Sequence, residues 1–255
     1  MKKKLVIAIC SIFAVAAIVT GSVLGTIAYL TASAAVSNVF TVGNVQIVMD
    51  ESKVTPKGEL DTSYTGRVDT NTYHLVPGTK YLKDPQIRVN SGSEDSYLFV
   101  LVRNDLEGIG PKGDTPYLTI AEQMEYLGWR PYIAAATGTV YVYCGDSAGN
   151  DNKVLPESGD EFNAIIEKRS ANETNNEWVT ASTTVEGGKY DLFKYFYTDP
   201  SNKDLSTYGA AKITLTAVAI QASGFEGEVG SKEAVDLAWA AGKDAYPYIH
   251  PGSNN

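Results

Sequence analysis

The sequence predicts an all-β fold with small helical insertions, a sandwich or barrel that takes up most of the chain. Three observations lead there. β-Branched and aromatic residues gather in short runs bounded by Gly, Pro, Asn and Asp, the pattern of strands separated by turns. Sixteen tyrosines among 255 residues fall largely in such runs, as in Tyr141-Val-Tyr143 and Tyr190–Tyr197, where aromatic cross-strand pairs stabilise sheets. Only two segments carry a helical period, and no internal repeat of fixed length is present.

The N-terminus stands apart from that domain. Lys2, Lys3 and Lys4 precede an uncharged run from Leu5 to Leu24, which ends at Gly25-Thr-Ile-Ala28. A basic start, an apolar stretch and small residues before a scissile bond make a secretory signal. A run of that length also nearly suffices for a transmembrane anchor. Thr20, Gly21, Ser22 and Gly25 weaken its end and favour the signal. A lipoprotein site at Cys10 is a poor fit, because Ile9 stands where a small residue is wanted. Cleavage between Ala28 and Tyr29 divides the chain into an export signal (1–28), an N-terminal segment (29–43) and a β domain (44–255). The localisation it implies is secreted.

Along the domain the expected strands are Asn44–Met49, Gln86–Asn90, Tyr97–Arg103, Gly138–Cys144, Asp191–Thr198 and Lys212–Ala222. Tyr97–Arg103 is almost continuously apolar and suits a central strand buried on both faces. Lys212–Gln221 alternates at first, Ile213 and Leu215 against Thr214 and Thr216, and suits a strand with one wetter face. Leu75-Val-Pro-Gly78 and Asn90-Ser-Gly-Ser93 supply turns, since Pro presets φ and Gly accepts positive φ. The helical segments are Thr119–Leu127, and Ser231–Ala241 with Ser231 as N-cap and Gly242 beyond its end. Val235, Ala238 and Trp239 share one face of the latter, which makes Trp239 a core anchor. Gly145–Lys153 and Ser170–Glu177 read as polar loops, the second with a glycosylation sequon at Asn172.

Composition removes several function classes. Residues 1–28 carry three lysines and no acid, so the remainder, with 18 basic and 30 acidic residues, stands at -12 against -9 for the whole chain. Such a surface does not bind nucleic acid, which needs clustered Lys and Arg. Two cysteines, Cys10 and Cys144, cannot build a disulfide framework, and Cys144 reads as a small buried hydrophobe because no Cys/His constellation accompanies it. His74 and His250 have no second His at helical spacing, so the paired-histidine zinc motif is absent. Nucleophile-elbow, phosphate-loop and dinucleotide motifs are absent too. A carboxylate-pair glycosidase stays open, because its two acids need no fixed spacing. Asp50-Glu51 and Glu157–Glu161 are candidate calcium ligands but lack a regular ligand spacing, and solvated loops describe them better. No enzyme activity, catalytic residue, metal or cofactor is assigned.

Gly25-Thr-Ile-Ala-Tyr-Leu-Thr31, followed by Val36-Ser-Asn-Val-Phe-Thr-Val-Gly-Asn-Val-Gln-Ile47, resembles the signal junction and first segment of TasA/camelysin-like exported proteins, which a SipW-type signal peptidase processes. Asn38, Phe40, Gly43 and Ile47 occupy the family's Asn-x-Phe-x-x-Gly-x-x-x-Ile positions. Leu75–Gly78 with Lys83-Asp84, Asn90–Ser93 before Tyr97–Arg103, Ala217–Phe225 and Glu233–Trp239 are further matches, whereas about 105–186 matches nothing in the family. The resemblance implies a jelly-roll-like β-sandwich secreted by a Gram-positive bacterium to the cell surface or biofilm matrix. It implies self-association into fibres, in which the N-terminal segment of one subunit adds as a strand to the next, and membrane contact only during export. Tyr29, Leu30, Val36, Val39 and Phe40 mark the donor segment. The alternative is that Tyr29–Phe40 forms the domain's own first strand or a loose leader, with assembly the preferred reading. Two other functions stay open: a camelysin-like metalloprotease and a tyrosine-rich glycan or cell-wall module. N-terminal sequencing of secreted protein is expected to begin at Tyr29, and mature protein that retains Leu5–Leu24 would overturn the signal assignment.

Overall fold

Seven consecutive residues, Ser96–Val102, are buried in the middle of the domain. The computed structural model describes residues 45–112, 115–135, 138–145, 155–156 and 179–242, together with the strands formed by 31–35 and 38–40. The strands are β1 (Thr31–Ala35), β2 (Asn38–Phe40), β3 (Ile47–Ser52), β4 (Arg67–Val68), β5 (Lys80–Leu82), β6 (Gln86–Val89), β7 (Ser96–Asn104), β8 (Trp129–Ala135), β9 (Gly138–Tyr143), β10 (Lys189–Asp191), β11 (Tyr195–Tyr197) and β12 (Ile213–Gln221). The helices are α1 (Ile120–Tyr126) and α2 (Lys232–Gly242). This is an all-β fold of antiparallel sheets with few helices. No helix among the described residues is long and apolar enough to cross a membrane.

Six strands form one sheet in the order β2-β1-β12-β7-β9-β8, and four form another in the order β10-β6-β3-β4; β11 and β5 pair separately. Alternation along β7 feeds two cores, because successive side chains leave opposite faces. Leu98, Val100 and Val102 join Ile47 and Met49 of β3, Ile87 and Val89 of β6, and Leu215, Ala217 and Ala219 of β12 between the two sheets. Tyr97, Phe99 and Leu101 turn the other way, to Val218, Ile220, Val235, Ala238 and Trp239. Phe99 and Trp239 lie 4.9 Å apart between ring centroids, with Tyr132 beside both. The expectation of a doubly buried central strand holds, and Trp239 is a core anchor.

Both helices start where the sequence places them. Thr119 caps α1 through a reciprocal box: its Oγ1 accepts from Glu122 N–H at 3.3 Å, and Glu122 Oε2 accepts from Thr119 N–H at 2.6 Å. Ser231 Oγ accepts from Ala234 N–H at the start of α2. Gly78 has φ +71° and Gly92 φ +81°, the positive values that the two predicted turns require.

The expected strand Asp191–Thr198 is instead two strands in two sheets. Lys189–Asp191 pairs with β6 and Tyr195–Tyr197 with β5, and the fully buried Leu192 and Phe193 lie between them. The break is held by the buried amide of Gln123. Its Oε1 accepts from Lys194 and Tyr195 N–H, and its Nε2 donates to Leu118 and Tyr195 carbonyls. Asp50 and Glu51 are likewise no solvated loop: β3 runs through them to Ser52, with Glu51 at the inward-facing position after Ile47 and Met49. β8 carries Pro131 in its interior and was not expected as a strand; the proline sits at a sheet edge, with a register shift between Pro131 and Ile133.

Truncation of Phe99 to Ala is expected to lower unfolding free energy by about 3–5 kcal/mol. Leu237→Ala, on an exposed face of α2, is expected to change it by less than about 0.5 kcal/mol. Urea titration checks both, and equal effects would contradict the two-core arrangement.

Candidate functional site

The two long margins of the six-stranded sheet differ in chemistry. At one end β8 exposes Pro131, which has no backbone donor, and its ladder is broken by the adjoining bulge. Both features blunt an edge against further pairing. At the other end β2 and β1 lie outside β12, a nine-residue strand with β-branched or apolar residues along most of its length. Its inner side pairs with β7 over its full length, from Ile213 opposite Asn104 to Gln221 opposite Ser96. Its outer side receives β1 over only five positions, from Thr31 opposite Ile220 to Ala35 opposite Thr216. β1 lies against β3 as well, so it closes this margin of the inter-sheet core.

Among the described residues no strand pairs with the outer side of the start of β12, and that stretch has a defined hydrogen-bonding face. Lys212 C=O accepts from Asp105 N–H at 3.0 Å, and Lys212 N–H donates to Asp105 Oδ2 at 3.0 Å, so Lys212 directs its backbone toward the β7 side. Backbone groups alternate sides along a strand. Ile213 and Leu215 therefore turn their N–H and C=O toward the margin beyond the reach of β1.

A cleft of about 680 Å³ opens along this stretch. Ile213 and Leu215 form one wall, with Leu106, Phe196 and Tyr208 in its apolar part and Met49, Glu51, Asn71, Tyr73 and Lys83 opposite. Glu51 is buried because the strand period carries it inward, and a buried carboxylate needs a partner. Lys83 Nζ supplies it at 2.7 Å, and Asn71 Nδ2 donates to the other carboxylate oxygen at 3.0 Å. Tyr73 donates its hydroxyl to Leu82 C=O at 3.1 Å. Burial, then the charges of Glu51 and Asp84, push its phenol above the ordinary range. On the outward face of β3, Asp50 binds Arg67 at 2.5 Å and also Arg88, while Asp84 accepts from Ser52 and Arg67. The acids thus brace β3 against β4 and β6.

The sequence-predicted residues divide across this site. Val39 and Phe40 lie in β2, opposite Ala34 and Ser33 of β1. Ala28, Tyr29, Leu30 and Val36 lie outside the described residues, as do His250, Asn172 and Glu157–Glu161. His74 is exposed. Among the described residues no group of three or more His, Cys, Asp or Glu side chains is arranged to hold a metal ion. The cleft and the Glu51–Lys83 pair were not anticipated. The only signal for them was a charged residue, Glu51, falling in phase with Ile47 and Met49.

No protein-family model, curated protein or solved structure matches the chain.

Cys144 is buried, and its thiol contacts the carbonyls of Val142 and Val179. Burial pushes the thiol up to about 11, with only a small opposing effect from Arg130. The folded state holds this proton more tightly than the unfolded chain does. Stability is therefore intact below the ordinary thiol value near 9 and falls as pH rises from there toward 11. Denaturation at neutral pH and at pH 10.5 is expected to show a larger alkaline loss for the native protein than for Cys144→Ala. Equal losses would show that the thiol titrates normally.

Proposed function

We propose that the chain is a secreted structural protein, a biofilm-matrix or cell-surface fibre subunit that assembles by β-strand addition. In this reading the two facing sheets are a jelly-roll-like β-sandwich. A SipW-type signal peptidase releases the mature chain at Tyr29, and the N-terminal segment is the donor.

One observation carries the proposal. Thr31–Ala35 adds to β12 antiparallel over five consecutive positions, so this segment and this edge are complementary in register and backbone hydrogen bonding. Nothing in that complementarity depends on the two coming from the same chain. The ladder that β1 makes with its own β12 is the ladder it would make with a neighbour's. Strand addition of this kind takes affinity from backbone hydrogen bonds and selectivity from alternate side-chain positions. The blunted β8 margin supports the same reading, since it leaves the β12 side, where β1 adds, as the margin suited to a donor strand. The net charge of -12 on the mature chain keeps subunits soluble before assembly.

Purified protein beginning at Tyr29 is expected to form filaments visible by electron microscopy. Deletion of 29–40 is expected to abolish them while circular dichroism still reports a folded β protein. Filaments formed equally by the deleted protein would overturn strand donation.

A further inference from the structure

We propose that a second cleft, at the end of the domain where α1 lies beside β9, binds an alkylammonium group: Glu107, Glu125 and the Tyr141 hydroxyl surround the cation, and apolar side chains take its stem. This site is independent of the fibre reading above.

A buried phenol without a partner supplies the first argument. The cleft, of about 400 Å³, opens between residues 104–111, α1 and the start of β9. Register places Tyr141 of β9 opposite Val100 of β7, so its ring joins the inter-sheet core with Ile109, Met124 and Trp129. Tyr141 is only 7% exposed, yet its hydroxyl has no hydrogen-bond partner among the described residues. Each of the other buried tyrosines there has one: Tyr81 donates to His74 C=O, while Tyr97, Tyr190 and Tyr195 accept from Gly230, Val185 and Leu118 N–H. A buried polar atom left unpaired is costly, so the exception marks a place for a ligand atom.

The charges around that hydroxyl define the ligand's sign. Asp105, Glu107, Glu122 and Glu125 line the cleft, and among the described residues no Lys, Arg or His does. Two of the acids are used within the fold: Asp105 Oδ2 accepts from Lys212 N–H, and Glu122 caps α1. Glu107 is exposed, and its carboxylate has no partner among the described residues. Burial, then the charges of Glu125 and Glu107, push the Tyr141 phenol up to about 12, which puts both carboxylates within electrostatic reach of its hydroxyl. At neutral pH the phenol keeps its proton, and its oxygen is an acceptor.

An ammonium group has three donors and no acceptor, which matches two carboxylates and a phenol oxygen supplied by a turn, a helix and a strand. An anion would meet only like charge. A sugar hydroxyl brings an acceptor wherever it brings a donor, and the carboxylates only accept. A bare metal ion fits poorly, because no three His, Cys, Asp or Glu side chains among the described residues are arranged to hold one. Leu118, Ile120 and Phe196 form the apolar part of the lining, so the cation comes on a hydrocarbon stem. A free aliphatic amine and the lysine side chain of a protein share that chemistry.

The test is calorimetric titration of the full chain with n-hexylamine in about 0.15 M salt, which screens long-range attraction to the acidic surface. One saturable site is expected. n-Butylamine is expected to bind about tenfold more weakly, since each buried methylene contributes about fourfold, and 1-hexanol, which has the stem without the charge, is expected not to saturate. Glu107→Gln and Tyr141→Phe are each expected to weaken n-hexylamine binding by about fivefold or more. Glu226→Gln, which removes the same charge from an exposed position outside the cleft, is expected to change it by less than about twofold. Nα-acetyl-lysine amide binding as tightly as n-hexylamine would support the site with a protein lysine as its ligand, and binding of the free amine alone would support it with a small amine. Absence of saturable n-hexylamine binding, equal binding by 1-hexanol, or equal effects of Glu107→Gln, Tyr141→Phe and Glu226→Gln would overturn the site.

Discussion

Burial of β7 on both faces is the constraint from which the rest of the domain follows. A strand with Leu98, Val100 and Val102 on one side and Tyr97, Phe99 and Leu101 on the other cannot lie at a surface. It needs a second sheet on one face and another apolar layer on the opposite one. The four-stranded sheet meets the first need with Ile47, Met49, Ile87 and Val89, and α2 meets the second with Val235, Ala238 and Trp239. β9 and β12 flank β7 and inherit the same double burial over Val140–Val142 and Ala217–Ile220. Helix α2 is thus a lid on a sheet face and owes its position to Phe99 more than to its own helical propensity.

The inter-sheet core is not equally filled along its length. Toward the Ile213 end of β12 the inner face of β3 changes from Ile47 and Met49 to Glu51. A buried ion pair with Lys83 takes the place of close apolar packing. Such a pair adds little net stability against an apolar alternative, but loss of either partner is costly. It therefore fixes the position of the β5–β6 connection and holds the cleft wall without closing the cleft. Tyr73 and Phe196, 5.2 Å apart, complete that wall from the other side.

Local signals made much of this legible in the sequence. The β7 run, the capped starts of both helices and the two glycine turns are each encoded within a few residues, so their reading survived contact with the structure. The failures have a common cause. Whether Asp191–Thr198 is one strand or two depends on the side chain of Gln123, far away in the chain. Arg67-Val68 and Lys80–Leu82 are too short to show a period and are strands only because partners lie beside them. Asp50 and Glu51 looked solvated because acids usually are, and only the opposing Arg67, Arg88 and Lys83 place them inside a sheet. The candidate site was half visible. The proposed donor half is a contiguous segment, whereas the proposed acceptor half is a strand and a cleft assembled from β3, β12 and the segments near Tyr73 and Tyr208.

Edge chemistry gives this arrangement a direction. Among the described residues the four-stranded sheet ends in β10 and β4, of three and two residues, too short to template another strand. The six-stranded sheet ends in β8 on one side, where Pro131 and a bulge interrupt pairing. On the other side β2 and β1 lie outside β12, so β12 becomes an edge only when β1 is withdrawn, and the segment complementary to it belongs to the same chain. A surface that pairs with a different surface on an identical molecule makes a heterologous contact, and unless the rotation closes a ring such contacts propagate without end. In the proposed fibre reading, a donor at the N-terminus and an acceptor at β12 specify a polar filament. Blunted edges elsewhere agree with that proposal, because a second competent edge would permit branching and side-by-side aggregation in place of linear growth.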